Sequence, residues 1–336
     1  MIRSVEELEE ALSLPTPGVA EELAKLRGDL VVLGVGGKMG PTLARMARRA
    51  LPSSRAVIGA ARFSDARARA SLEAAGVTCV PCNLLERDEV RKLPDAAAVI
   101  FMAGQKFGTV GAEADTWAAN TVLPGLVAER YRGVPTVVFS TGNVYPFTPV
   151  SSGGATEETT PAPIGEYAQS ALGRERVFEY FSRKHGTPTV VYRLNYAVEL
   201  RYGVLLEIAR KVASGTPVDA RMGHANVIWQ GDANAVALRC LSMAQSPPSI
   251  LNVTGPETLS VRDLAGRLGE LLGRTPRIEG KEEPTALLSN ASKMKARFGP
   301  PTVPVDRILE WVAAWVKAGG ATLDKPTHFE TRDGKF

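Results

Sequence analysis

Leu30-Val31-Val32-Leu33-Gly34-Val35-Gly36-Gly37-Lys38-Met39-Gly40 is the stretch whose reading decides the fold. Four apolar residues make a run of strand length. Glycines at 34, 37 and 40 follow directly, and Pro41 opens a helical Ala/Arg/Met/Leu stretch to about Ala50. A strand, a glycine turn and a helix in that order aim unpaired backbone N–H groups and the positive end of a helix dipole at a bound anion. A plain tight turn also favours glycine. The position on the first strand of a βαβ unit nevertheless favours a dinucleotide pyrophosphate at Gly34, Gly37, Lys38, Met39 and Gly40.

The same alternation continues outward from the turn. Residues 56–60, 77–80, 97–102, 136–140 and 189–194 read as strands; residues 65–75, 86–93, 112–131 and 167–185 read as helices. Strands that are apolar throughout predict a parallel sheet covered on both faces, with right-handed crossovers. Beyond Asn195 the rhythm breaks, and the chain ends in helices and a polar tail. The expected fold is α/β: a Rossmann-type doubly wound parallel sheet with a smaller C-terminal substrate-binding lobe. The division expected is a helical extension at 1–27, a dinucleotide-binding domain at 28–194, and a lobe at 195–336 partly interleaved with the sheet. In the extension, Ser4 and Glu7 form a capping box, and Val5, Leu8 and Leu12 share one helix face.

Composition narrows the function classes. Of 336 residues, 44% are hydrophobic and 23% charged, which excludes a disordered or collagen-like chain. Forty basic residues against 36 acidic ones leave a net charge of +4, spread along the chain, so no nucleic-acid partner is expected. No apolar run approaches the ~20 residues of a membrane span, and the acidic start does not resemble a signal peptide, so a cytoplasmic protein with no membrane partner is expected. Cys79, Cys82 and Cys240 cannot all pair, and the three scattered histidines lack ligand spacing, so no metal site is expected.

Cofactor discrimination is usually written at the end of the second strand, where an acidic side chain bonds the ribose 2′-hydroxyl. Here that stretch is Gly59-Ala60-Ala61-Arg62-Phe63-Ser64, with no carboxylate before Asp65. Arg62 suits a 2′-phosphate, which favours NADP over NAD; Arg62 as a solvated loop residue is the alternative.

With these motifs the chain resembles the extended short-chain dehydrogenase/reductases, the NAD(P)-dependent sugar epimerases and dehydratases, from Leu30 to about Gly299. The resemblance implies a fourth-strand segment at Val99-Ile100-Phe101-Met102-Ala103-Gly104-Gln105-Lys106, with Ala103, Gly104 and Lys106 against the cofactor. It also implies Asn83-Leu84 at the adenine and Asn120 as the family's helix asparagine. Phe139-Ser140-Thr141-Gly142-Asn143-Val144-Tyr145 aligns with the catalytic Ser/Thr segment, placing Thr141 there, and Tyr167 follows as the catalytic tyrosine. The family motif is YxxxK, and this chain has Ala171 where the lysine belongs. A tyrosine with a pKa near ~10 needs a nearby cation to act as a base at neutral pH. Lys106 and Arg174 are the candidates, against simpler roles at the cofactor phosphates and in an ion pair with Glu175 or Glu179.

Arg193-Leu194-Asn195-Tyr196 is similar to the family's segment bordering the substrate, with Arg193 as substrate contact or as a buried arginine bonding loop carbonyls. Asn143, Asn195, Arg201 and Tyr202 suit a hydroxylated ligand: a sugar, sugar acid or nucleotide sugar. The implied activity is oxidoreductase, epimerase or dehydratase chemistry on a hydroxyl or keto group; the missing lysine leaves a non-catalytic dinucleotide sensor or scaffold as the rival. Family members pair through the helices flanking the sheet. A homodimer is therefore expected through residues 112–131 and 167–185, with Leu172, Val177, Phe178 and Phe181 as the apolar stripe. The tail Lys325-Pro326-Thr327-His328-Phe329 lies outside the resemblance and either covers a cleft or an oligomer face or simply packs.

Overall fold

The computed structural model of the protein describes residues 1–335. Seven strands form one sheet: β1 Leu30–Leu33, β2 Val57–Ala61, β3 Thr78–Pro81, β4 Ala98–Phe101, β5 Thr136–Thr141, β6 Thr189–Leu194 and β7 Ser249–Val253. Their order is β7-β6-β5-β4-β1-β2-β3, and every pairing is parallel. After β3 the chain crosses back over β1 to lay down β4, so the β1/β4 boundary is the topological switch point, outside which open α/β sheets bind ligands. All four residues of β1 and of β4 are buried, which explains their unbroken apolar runs. β7 comes from within the C-terminal third of the chain and pairs with β6 at the edge of the sheet.

One apolar layer covers each face of the sheet, and a third core fills the lobe around Val204, Ile208, Leu264 and Leu309. The N-terminal helices tie these cores together. Leu8 and Leu12 from Val5–Leu12 enter the lobe core, whereas Val19 and Leu23 from Pro17–Ala24 enter the sheet core. Glu9 pairs with Arg45 at 2.6 Å, on the helix Gly40–Ala50 that follows the glycine turn. The extension thus braces the helix behind the turn as well as the lobe.

Two expectations need correction here. The single helix over 112–131 is three segments: Glu113–Trp117, a π-helical turn Ala118–Val122, and Leu123–Arg130. Pro124 is the cause: it has no N–H for the carbonyl of Asn120 and its ring crowds that carbonyl, so the backbone widens by one residue. Phe178 does not belong to an outward stripe. It is 3% exposed and stacks edge-on against Phe101 at 5.0 Å under the sheet.

Candidate active site

A cavity of about 220 Å³ opens outside the carboxyl ends of β1, β4 and β5. Gly34, Gly37, Lys38, Met39 and Gly40 form one wall, and Lys106, Thr141, Asn143 and Tyr167 another. Asn195, Tyr196, Tyr202 and Thr327 close the far side. Eleven of the candidate residues therefore meet in one place, although they span from Gly34 to Tyr202 in the chain.

The glycine wall suits a dinucleotide. Gly34 has φ +82°, and a Cβ there would lie 2.7 Å from the Ala103 backbone. No other residue allows β1 and the loop after β4 to approach so closely. Gly37 and Lys38 reach the cavity just ahead of the eleven-residue helix Gly40–Ala50, whose N-terminal dipole favours a phosphate. The residues present fit the group.

Other candidates stand at the rim or behind the wall. Arg62 is exposed at the end of β2. Asn83 accepts a bond from the Leu85 amide at 3.3 Å, and Leu84 packs in the core beside Phe101. The buried Asn120 accepts from the Gln105 amide at 3.0 Å and donates to the Gln105 carbonyl and the Ser170 hydroxyl, each at 2.9 Å. It pins the Ala103–Gly104–Gln105 loop to the helix that carries Tyr167; none of Ala103, Gly104 and Asn120 lines the cavity. The structure does not bring Arg201 to the cavity either. Its guanidinium is held by Glu199 at 3.1 Å and by Glu9 at 3.3 Å.

Tyr167 lies in the first turn of the helix Gly165–His185, and Thr141 is the last residue of β5. The Thr141 hydroxyl donates to Asn143 Oδ1 at 3.0 Å and accepts from the Asn143 amide at 3.1 Å. Burial pushes the Tyr167 phenol up from its ordinary range; Arg174 and a hydrogen bond with Thr141 pull only partly the other way. Tyr167 thus keeps its proton at neutral pH.

Ala171 packs fully buried among Val144, Tyr145 and Ala155, leaving no room there for a lysine. Two turns from Tyr167, Arg174 donates to the Phe139 carbonyl at 2.9 Å and to Asn120 Oδ1. The expected ion pair of Arg174 with Glu175 or Glu179 is not formed. Glu179 binds Arg176 and Arg183 on the solvent side, and Glu175 turns beneath the helix to Arg193 at 2.6 Å. Arg193 bonds this carboxylate and the Tyr145 hydroxyl, at 2.7 Å, not loop carbonyls or the cavity.

Three further wall residues were not among the candidate site residues, although Tyr196 lies in the segment expected to border the substrate and Thr327 in the tail expected to cover a cleft, cover an oligomer face or simply pack. Phe107 and Tyr196 follow candidates directly, and Tyr196 takes a left-handed φ of +42°. Thr327 comes from the tail. Its amide and hydroxyl donate to Glu207 at 2.6 and 2.9 Å, and Phe329 anchors the segment in the lobe core. Beyond it, Arg332 donates to the Thr285 carbonyl at 2.8 Å, so the tail runs across the cleft mouth. Among the described residues no cluster could hold a metal, and no helix is long and apolar enough to cross a membrane.

Solved structures share this architecture. UDP-glucose 4-epimerase from Thermotoga maritima superposes with a TM-score of 0.71 at 17% identity, over 87% of this chain and 99% of its own. The Thermus thermophilus UDP-glucose 4-epimerase complex with NAD gives 0.71 at 20%, over 86% and 99%. UDP-glucuronic acid 4-epimerase from Bacillus cereus, in complex with UDP-glucuronic acid and NAD, gives 0.72 at 16%, over 86% and 99%. No curated protein matches the sequence significantly. At the level of sequence, the profile of one family matches residues 30–218, more than half of the chain. With the glycine turn on β1 and the Thr141/Tyr167 pair facing it, the chain belongs to the NAD dependent epimerase/dehydratase family.

Proposed function

We propose that the protein is an NAD(P)-dependent oxidoreductase acting on a hydroxyl or keto group of a sugar-derived substrate. The observation that carries this reading is the facing of the glycine turn and Thr141/Tyr167 across one cavity. A bound nicotinamide supplies or accepts a hydride at the substrate carbon. The chain's own part is to hold the oxygen on that carbon and to move its proton. Thr141 Oγ1 and Tyr167 Oη are the groups for this, and Tyr167, kept neutral by burial, is suited to donate its proton to the oxygen of a carbonyl undergoing reduction. Without a lysine at Ala171, Arg174 beneath Tyr167 and Lys106, 6.0 Å from its ring centroid, are the cations that favour the tyrosinate left behind.

Arg62, exposed beside the turn with no acidic neighbour before Asp65, supports NADP as the preferred form. Fluorescence titration should show tighter binding of NADPH than of NADH, with the preference reduced about tenfold or more in Arg62→Ala, which removes a charge-assisted phosphate contact. Equal affinities in both proteins would refute the NADP preference, and no binding of either would refute the oxidoreductase reading.

We also propose a homodimer through the helices of residues 113–130 and 165–185. With Phe178 in the core, Val122, Tyr180 and Trp117, 57%, 56% and 37% exposed, are the large apolar groups those helices offer. Light scattering should report the mass of two chains, falling to one in Val122→Glu; a single-chain mass for the native protein contradicts this.

A further inference from the structure

A second cavity, of about 230 Å³, shares no residue with the one that holds Thr141 and Tyr167. Three elements enclose it: the start of the helix Pro17–Ala24, one face of the helix Gln230–Arg239, and the end of the helix Ser292–Phe298 with the Pro300-Pro301 segment that follows. Most of the wall is apolar, from residues such as Val236, Met294 and Phe298. Two polar groups in it lack the partners their positions call for. Thr16 is the N-cap residue of Pro17–Ala24, where a threonine hydroxyl usually accepts from the first turn, yet it makes no capping bond and its Oγ1 is buried without a partner. A hydroxyl left so is costly. Arg239 spends one donor on the Phe298 carbonyl at 3.0 Å. Among the described residues no carboxylate lies within ion-pair distance of its guanidinium, and nothing accepts from Nε or Nη2. Gly18 lets that guanidinium lie against the start of the helix, two residues from Thr16, since a Cβ there would stand 2.8 Å from Nε. The acid in the wall is already engaged: Asp232, two helical turns from Arg239, accepts from the Thr302 hydroxyl at 2.6 Å and the Val303 amide at 3.1 Å.

We propose that this cavity binds a small organic carboxylate, whose oxygens accept from Arg239 and the Thr16 hydroxyl and whose apolar body packs on Val236, Met294 and Phe298. A guanidinium fork matches a carboxylate, and an apolar wall with a few placed polar groups is the usual make-up of a small-molecule site. The same wall disfavours inorganic phosphate, most of whose oxygens would face carbon with no donor. The site is independent of the oxidoreductase reading. Its occupant would pin the N-terminal extension to the helix Gln230–Arg239. That helix in turn holds the helix behind the glycine turn: Asn234 and Gln230 donate to the Thr42 hydroxyl at 3.0 and 3.1 Å.

Calorimetric titration with benzoate, butyrate, their neutral counterparts benzyl alcohol and butanol, and inorganic phosphate tests the site. At least one carboxylate should bind about tenfold or more tightly than its alcohol and than phosphate, with affinity unchanged within about threefold when NADPH is added to saturation. Arg239→Met should lose about tenfold or more of that affinity. Thr16→Val, which removes only the hydroxyl, should lose about three- to tenfold while leaving the unliganded protein at least as stable as the native one, because the hydroxyl has no partner there. Where Arg239→Met fails to fold, Thr16→Val carries the test. Hydrogen exchange supplies a further readout: the carboxylate should slow exchange across residues 18–24 of the native protein and less so in Thr16→Val at the same concentration. Carboxylates that bind no better than their alcohols, or not at all at about 10 mM, overturn the proposal. So do carboxylates displaced by NADPH, which would place them in the first cavity, and phosphate binding as tight as that of either carboxylate.

Discussion

Tyr167→Phe is expected to lower kcat by about 10²–10⁴-fold, the usual loss when a positioned proton donor is removed. NADPH affinity should stay within about threefold, because the phenol hydrogen-bonds Thr141 across the cavity from the glycine turn, and an interaction made only in the transition state shows in kcat. The pH profile adds a second signature. A phenol held above its ordinary range by burial keeps reduction flat across neutral pH, whereas a tyrosinate base would give a rate rising with pH. Steady-state kinetics checks both, and an unchanged kcat would remove Tyr167 from the chemistry.

Arg193→Leu is expected to cost about 3–5 kcal/mol of stability, because it strands the Glu175 carboxylate in the interior. The pair is nearly closed to solvent, and Glu175 also accepts from the Ser140 hydroxyl at 2.5 Å. Tyr145, bonded to Arg193, donates in turn to Asn252 Oδ1 at 2.8 Å. This network joins β5, β6, β7 and the Tyr167 helix, and it lies one residue from Thr141 on β5. Chemical denaturation should therefore show both lower stability and a raised KM. The double variant Arg193→Leu/Glu175→Leu should recover most of the loss, since removing both charges leaves nothing unpaired. A single variant as stable as the native protein would contradict this account of the network.

The sheet was legible because its signal is local. Each apolar run, such as Leu30–Leu33, is long enough to be a strand and too short for a helix, and the glycines mark where backbone meets ligand. The π-helical turn at Asn120 was not legible, because Pro124 can kink, break or widen a helix and only packing selects among these. Thr141 and Tyr167 could be placed through the family resemblance, and Lys38 through the turn. What Arg201, Arg174 and Arg193 bond depends on partners far away in the chain, Glu9 and Asn120 among them. Thr327 depends on where a polar tail comes to rest, which no periodicity encodes.

The central claim is that hydride and proton transfer occur in this cavity, and isotope transfer tests it most directly. The protein is incubated with NADPH deuterated at the transferring C4 position and a panel of keto sugars and keto sugar acids, and the products are examined by mass spectrometry. The account predicts one deuterium on the new carbinol carbon with matching formation of NADP⁺, lost in Tyr167→Phe. NADPH or NADH that binds but gives up no deuterium to any member of the panel would contradict it.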